Sequence, residues 1–117
     1  MENVQEKLND ISKLVINGQL LDAFEKYYHD DVVMQENENI PTKGKAANLL
    51  REKEFLNNIT EFREAKMLSS GVGDNVSYAE WKYDYTHREW GVRNYKQVSV
   101  QHWKDGKIIK EQFFYGN

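Results

Sequence analysis

Ser77-Tyr78-Ala79-Glu80-Trp81-Lys82-Tyr83-Asp84-Tyr85-Thr86-His87 alternates with a period of two. Ser77, Ala79, Trp81, Tyr83, Tyr85 and His87 fall on one face of an extended strand; Glu80, Lys82, Asp84 and Thr86 fall on the other. The first face carries a large aromatic area with polar tips, the second is charged. Such an aromatic face either packs a core or walls a ligand pocket, and both can hold at opposite ends of one strand. Two Tyr hydroxyls and an imidazole on a covered face need hydrogen-bond partners, which a cavity supplies.

Three neighbouring segments share this texture: 60–68, 92–103 and 107–115. They are divided by Gly71-Val72-Gly73-Asp74, by Arg88-Glu89-Trp90-Gly91 and by Lys104-Asp105-Gly106, and Asp-Gly between alternating runs marks a hairpin. Upstream the period changes. Val4, Leu8, Ile11 and Val15 form one helical stripe, and Asn17-Gly18 closes it. A second helix places Leu20, Leu21, Phe24, Tyr27 and Tyr28 inward and stops at Asp30-Asp31, before a short strand Val32-Val33-Met34. A polar loop over 35–43 holds the only Pro, Pro41. A third helix is predicted from about 45 to 58, burying Ala46, Leu49, Leu50 and Leu56. Helices first and an antiparallel meander after them make an α+β fold: a strongly curved, cone-shaped antiparallel sheet with three N-terminal helices on one face.

The last hairpin has two possible registers. A three-residue turn with a bulge at Gly106 pairs Ser99 with Glu111 and Gln101 with Ile109. Gln97, Ser99, Gln101, Glu111, Phe113 and Tyr115 then share a face. A two-residue Asp105-Gly106 turn slips the partners by one and sends Glu111 to the side of Val98 and Val100. The first is favoured, because it leaves Val98, Val100 and Ile108 together as an apolar set. On that register Glu111 points inward, with Gln101, Tyr83 or His87 in reach.

The chain has 117 residues, the length of one domain (1–117). It has no Cys, which excludes disulfides, thiolate zinc sites and a Cys nucleophile. A net charge of −3 argues against nucleic acid. The polar start (Met1 to Lys7) and the short apolar runs argue against export and membrane insertion, so a cytoplasmic protein is expected. His29, Asp30 and Asp31 are adjacent and rarely aim at one ion, so no metal is expected. Gly71-Val72-Gly73 lacks the later Gly and helix of a nucleotide site, so no cofactor is expected either.

The element order and several strings resemble the nuclear transport factor 2-like superfamily, in its SnoaL-like and ketosteroid isomerase-like branches. The strings are Asn17-Gly18 between two helices; Tyr28-His29-Asp30-Asp31-Val32-Val33-Met34-Gln35-Glu36; Pro41-Thr42-Lys43-Gly44-Lys45-Ala46; and Trp103-Lys104-Asp105-Gly106-Lys107-Ile108-Ile109-Lys110-Glu111-Gln112-Phe113-Phe114-Tyr115. The resemblance implies a bent sheet wrapped around a pocket and pairing through the sheet face as a homodimer. It places Glu36 where isomerase-like members carry their acidic base. Their two oxyanion donors fall on Ile11 and Ser99, and the acid of SnoaL-like cyclases falls on Phe113, two residues beyond Glu111. Neither known site is reproduced.

Three readings follow. The leading one is a pocket for a small apolar or aromatic molecule, walled by Trp81, Tyr83, Ser99, Gln101, Phe113 and Tyr28. The second is proton transfer on a carbonyl compound, with Glu36 or Glu111 as base and His87 as shuttle, because two carboxyl groups with split pKa values suit that chemistry. The third is an association module in which Val98, Val100 and His102 face a second subunit.

Overall fold

The computed structural model describes residues 3–116; Met1, Glu2 and Asn117, the ends of the predicted domain, lie outside the described residues. Helix α1 (Val4–Ile16) starts where the Asn3 side chain accepts from the Glu6 N–H, and ends at Gly18, whose φ of 77° suits a residue without Cβ. Its Leu8, Ile11 and Val15 stripe is buried, as the spacing predicts. Helix α2 (Leu20–Tyr27) ends earlier than expected. Strand β1 (Tyr28–Glu36) begins at once, so Asp30 and Asp31 do not stop a helix but lie inside a strand.

Strand β2 (Thr42–Lys43) pairs with β1 inside the segment predicted as loop. Helix α3 (Lys45–Asn57) follows, and then β3 (Ile59–Val72), β4 (Val76–His87), β5 (Gly91–Lys104) and β6 (Lys107–Tyr115). The six strands form one curved, open sheet in the order β2-β1-β6-β5-β4-β3. The fold is α+β, but the sheet is mixed and not antiparallel throughout: β1 runs parallel to β6. A residue pattern reports which face is covered and says little about direction, so the parallel pair was illegible.

The last hairpin combines features of both registers. Lys104 opposes Lys107, with Asp105 at φ 55° and Gly106 at φ 79°. Two successive positive φ values are the signature of the two-residue turn whose twist matches the flanking strands. The pairing then shifts between His102 and Trp103, so Ile109 is the extra residue, and Gln101 opposes Glu111 while Ser99 opposes Phe113. The bulge restores the predicted face (Gln97, Ser99, Gln101, Glu111, Phe113, Tyr115) with different partners. Ile108 therefore turns inward against Trp103 and is fully buried, apart from Val98 and Val100.

The core lies between α1, α2 and the covered face of the sheet, around Leu8, Phe24, Tyr27, Val32, Trp81 and Ile108. Helix α3 departs in part from its predicted burial: Leu49 and Leu56 are half-buried, Ala46 and Leu50 are exposed, and the fully buried residue is Asn48. Its amide N–H groups donate to the carbonyls of Thr42 at 3.0 Å and Gly44 at 2.8 Å, and reach that of Val32 at 3.3 Å. That bonding holds the start of α3 against β1 and β2, and fixes what the next turns present.

The turn makes a direct test. Gly106→Ala places a Cβ in a left-handed conformation and lowers stability by about 1–2 kcal/mol. Gly71 has no positive φ and open space around it. Gly71→Ala leaves the melting temperature of the same protein nearly unchanged in a calorimetric comparison.

Candidate functional site

A cavity of about 710 Å³ opens between α3 and the covered face of the sheet. Trp81, Tyr83, Tyr85 and Tyr95 form its aromatic wall, with Trp81 and Tyr83 stacked at 5.7 Å. Ile40, Phe62 and Trp90 also line it and are exposed to solvent, which marks the open side. Glu111, Gln101 and Ser99, all at most 2% exposed, mark the closed end.

At the closed end a single chain of hydrogen bonds crosses the sheet. The Trp103 indole N–H donates to Ser77 Oγ at 2.8 Å, and the Ser77 hydroxyl donates to Gln101 Oε1 at 2.7 Å. Gln101 Nε2 donates to Glu111 Oε2 at 3.0 Å, and the Tyr28 hydroxyl donates to Glu111 Oε1. Direction is fixed from the carboxylate end: ionised Glu111 only accepts, so Gln101 turns its NH₂ toward it and its oxygen toward Ser77, whose hydroxyl donates to that oxygen while accepting from the Trp103 indole. Two donors, the Tyr28 hydroxyl and the Gln101 amide, thus reach the carboxyl group, and Ser77 and Trp103 hold the Gln101 amide in that orientation. Burial raises the Glu111 pKa to about 7, with the bonds from Tyr28 and Gln101 working in the opposite sense.

A second carboxyl group faces the same cavity. Glu52 sits on α3 one turn beyond Asn48, and Phe55 follows on the same side. Burial raises the Glu52 pKa to about 7, reinforced by the negative charges of Glu111 and Glu36 and opposed by Arg51. The Tyr83 hydroxyl lies between these influences. It makes no hydrogen bond to a described residue, and burial together with the charges of Glu111 and Glu52 drives its pKa far upward, so it stays a proton donor.

The other predicted residues are distributed along the cavity. Glu36 lines its open side, half exposed, and accepts from Arg51 Nη2 at 3.3 Å. His87 is buried at the far end of β4 from Ser77, out of reach of Glu111. Its Nδ1 accepts from the backbone N–H groups of Glu89 (3.1 Å) and Trp90 (3.3 Å), and its ring stacks on Trp90 at 3.7 Å. That pattern puts the ring proton on Nε2. Trp81, Tyr83, Tyr28, Ser99, Gln101 and Phe113 all line the cavity, and so does Ile11.

Sequence reasoning found Gln101 as a partner of Glu111 but not Tyr28 in that role, and it missed Glu52 altogether. Tyr28 read as the last residue of a helix. The signal for Glu52 is the row Asn48, Glu52, Phe55 at helical spacing; it was hidden because Leu49 and Leu56 form an apolar stripe beside it that accounts for the covered side of the helix.

The whole chain resembles one family. A family model described as SnoaL-like domain matches residues 2–115, and the chain belongs to that family. Among solved structures it is similar to a provisionally named SnoaL-like polyketide cyclase from Mesorhizobium loti, with 24% identity over 97% of this chain and 100% of that one and a TM-score of 0.86. It is also similar to a provisionally named polyketide cyclase from Pseudomonas putida (14% identity, 99% and 93% covered, TM-score 0.81). A protein of unknown function with a cystatin-like fold from Xanthomonas campestris shares 12% identity over 99% and 92%, with a TM-score of 0.84. No curated protein matches it significantly in sequence. The chain is thus a SnoaL-like ligand-binding protein of unassigned substrate. No helix among the described residues is long and apolar enough to cross a membrane.

The buried carboxyl groups make stability fall as pH rises. The folded pKa of Glu111 (about 7) lies above the ordinary 4.5, so folding binds a proton between those values. The stabilisation is complete below about pH 4.5 and is lost as pH climbs through about 7, and for Glu111 it is on the order of 3 kcal/mol. Melting curves should show the drop between pH 5 and pH 8 in the wild type, and a smaller drop in Glu111→Gln.

Proposed function

We propose that this SnoaL-like protein transfers a proton on a small, mainly apolar carbonyl compound, with Glu111 as general base. The observation that carries the reading is the placement of Glu111 and Glu52 in one aromatic-walled cavity, each with a pKa near neutrality. A carboxylate poised there removes a proton from the carbon next to a carbonyl group. The electron pair of that C–H bond moves into the carbonyl, leaving an enolate oxygen. The Tyr83 hydroxyl and protonated Glu52 donate hydrogen bonds to it. Where a double bond conjugates with the enolate, Glu111 returns its proton to the far carbon of that system, which isomerises the molecule; where a hydroxyl stands β to the carbonyl, Glu111 gives the proton to that hydroxyl, the C–O bond breaks with its electron pair and water leaves. Tyr28 and Gln101 hold the carboxyl group in place. Glu36, paired with Arg51 on the open side, is assigned to ligand entry, and His87 to the wall. The cyclase names of two similar structures favour carbonyl chemistry in a related pocket.

The test is deuterium uptake from heavy water into 2-tetralone, followed by proton NMR. Exchange above the buffer rate is expected, rising toward about pH 7 as Glu111 ionises and falling beyond it as Glu52 loses its donor proton. Glu111→Gln should lower it about 10²–10⁴-fold and Tyr83→Phe by about 10-fold or more. Glu111→Gln also sets an amide NH₂ against that of Gln101, so its melting temperature is measured alongside. Exchange that is equal in wild type and Glu111→Gln overturns the assignment.

A homodimer through the outer sheet face is a second proposal, supported by an exposed apolar patch. Val98 and Phe114 are cross-strand partners, Tyr78 opposes Val100, and Val98, Phe114 and Tyr78 are 42%, 40% and 45% exposed. Val98→Lys should then sediment as a monomer where the wild type sediments as a dimer. A cytoplasmic location belongs to the same reading, supported by a chain without Cys, which draws nothing from an oxidising compartment.

A further inference from the structure

His87 carries a proton that no described residue receives. Its Nδ1 accepts from the backbone N–H groups of Glu89 and Trp90 in the turn after β4, so the ring proton sits on Nε2, the distal nitrogen of the imidazole. Nε2 itself bonds to no described residue. Among the described residues one side-chain nitrogen or oxygen is both sealed in protein and without a partner, and that atom is Arg93 Nε. His87 Nε2 is therefore reachable, although the residue is only 4% exposed, and the space beside it is the cavity that His87 lines.

The ring is also held still. It stacks on Trp90 at 3.7 Å and 9°, Phe55 of α3 lies 6.2 Å away, and the turn fixes the Nδ1 edge. A donor held in this way loses little freedom when it bonds a ligand. We propose that His87 Nε2–H donates to a neutral oxygen of the ligand, a carbonyl or ether oxygen remote from the reacting carbonyl. This rests on the reading of the cavity as a ligand site and adds a second recognised group to the ligand. One N–H matches one lone pair, and Glu89 and Arg93 line the same end with opposite charges, so an uncharged acceptor is favoured over an ionised group.

The spacing sets a length. Tyr83 and His87 lie four residues apart on β4, roughly 13 Å along a straight strand. Between them the Tyr85 hydroxyl is engaged with that of Tyr95, so the free donors of this stretch stand at its two ends. A hydrogen bond of about 2.8 Å at each end leaves roughly 7–8 Å between two ligand oxygens, and less where the sheet curves. A 2-tetralone with an oxygen at C6 has that reach.

Calorimetric titration with 6-methoxy-2-tetralone and 6-ethyl-2-tetralone, which differ by an oxygen in place of a methylene, tests the proposal. The wild type should bind the methoxy ketone about fivefold or more tighter. His87→Asn keeps an acceptor for the N–H groups of the turn and loses the distal donor. His87→Phe keeps the stack on Trp90 and loses the same donor. Each should bring the two ketones within about twofold by weakening the methoxy ketone alone, so either variant decides if the other fails to fold. Glu111→Gln should keep the preference, which is read from binding and needs no exchange, so this subsite and the proton-transfer reading can each fail alone. Equal binding of the two ketones by the wild type, or binding of neither, overturns the proposal. So does a preference that survives in a folded His87 variant, or loss of ethyl ketone binding along with methoxy ketone binding there.

Discussion

The hydrogen bonds that converge on the buried Glu111 carboxyl group tie the sheet together at its closed end. Tyr28 brings β1 to it, Gln101 brings β5, and Ser77 extends the chain to β4. Each strand must be in register for its one residue to reach, since a slip of a single position turns that side chain to the opposite face. The demand is severe where β1 lies beside β6, because the register there shifts between Tyr28 and Val33. A buried carboxyl group without partners costs far more than one with two, so slipped alternatives are disfavoured at this point more than an apolar contact would disfavour them.

How much of this is legible in the sequence follows from what a side-chain pattern encodes. Alternation over residues 77–87 reports a covered face, and Trp81, Tyr85 and His87 are indeed buried on it. The bulge at Ile109 is not reported, because an extra residue changes the partners of Glu111 while leaving its side unchanged. The face of Glu111 was therefore readable and its neighbours only in part. Tyr28 shows a different limit. Helix α2 passes into β1 with no intervening turn residue, so nothing local marks where the period changes. Glu52 is hidden by its neighbours: Leu49, Leu50 and Leu56 account for a covered side of α3 until a tertiary tie fixes which residues beside them are covered too.

That tie is Asn48. Three backbone carbonyls around its amide hold α3 so that Glu52 and Phe55 meet the cavity, while Leu50 is left exposed. Leucine in water forgoes burial worth about 1.5–3 kcal/mol, and a carboxyl group at a cavity wall is held away from bulk solvent. Leu49 still packs on the core, so α3 is oriented for core and cavity together, at the expense of Leu50. The cavity persists because its wall is made of rings that brace one another: Trp81 on Tyr83, and Tyr85 sharing a hydrogen bond with Tyr95. Stacked rings keep their positions without filling the space between sheet and helix.

The polarity of this cavity has a direction. Similar backbones carry names as different as polyketide cyclase and epoxide hydrolase, so the curved sheet supplies a container and the wall residues supply the chemistry. Here the two acidic groups of the cavity with raised pKa stand on β6 and α3. The Tyr28 and Gln101 donors point at Glu111, leaving its remaining lone pairs as acceptors at the closed end of the cavity. His87 offers a donor at the other end. A molecule entering such a gradient is oriented before any bond changes. Orientation of that kind removes an entropic barrier that proton transfer in water must meet at the moment of reaction.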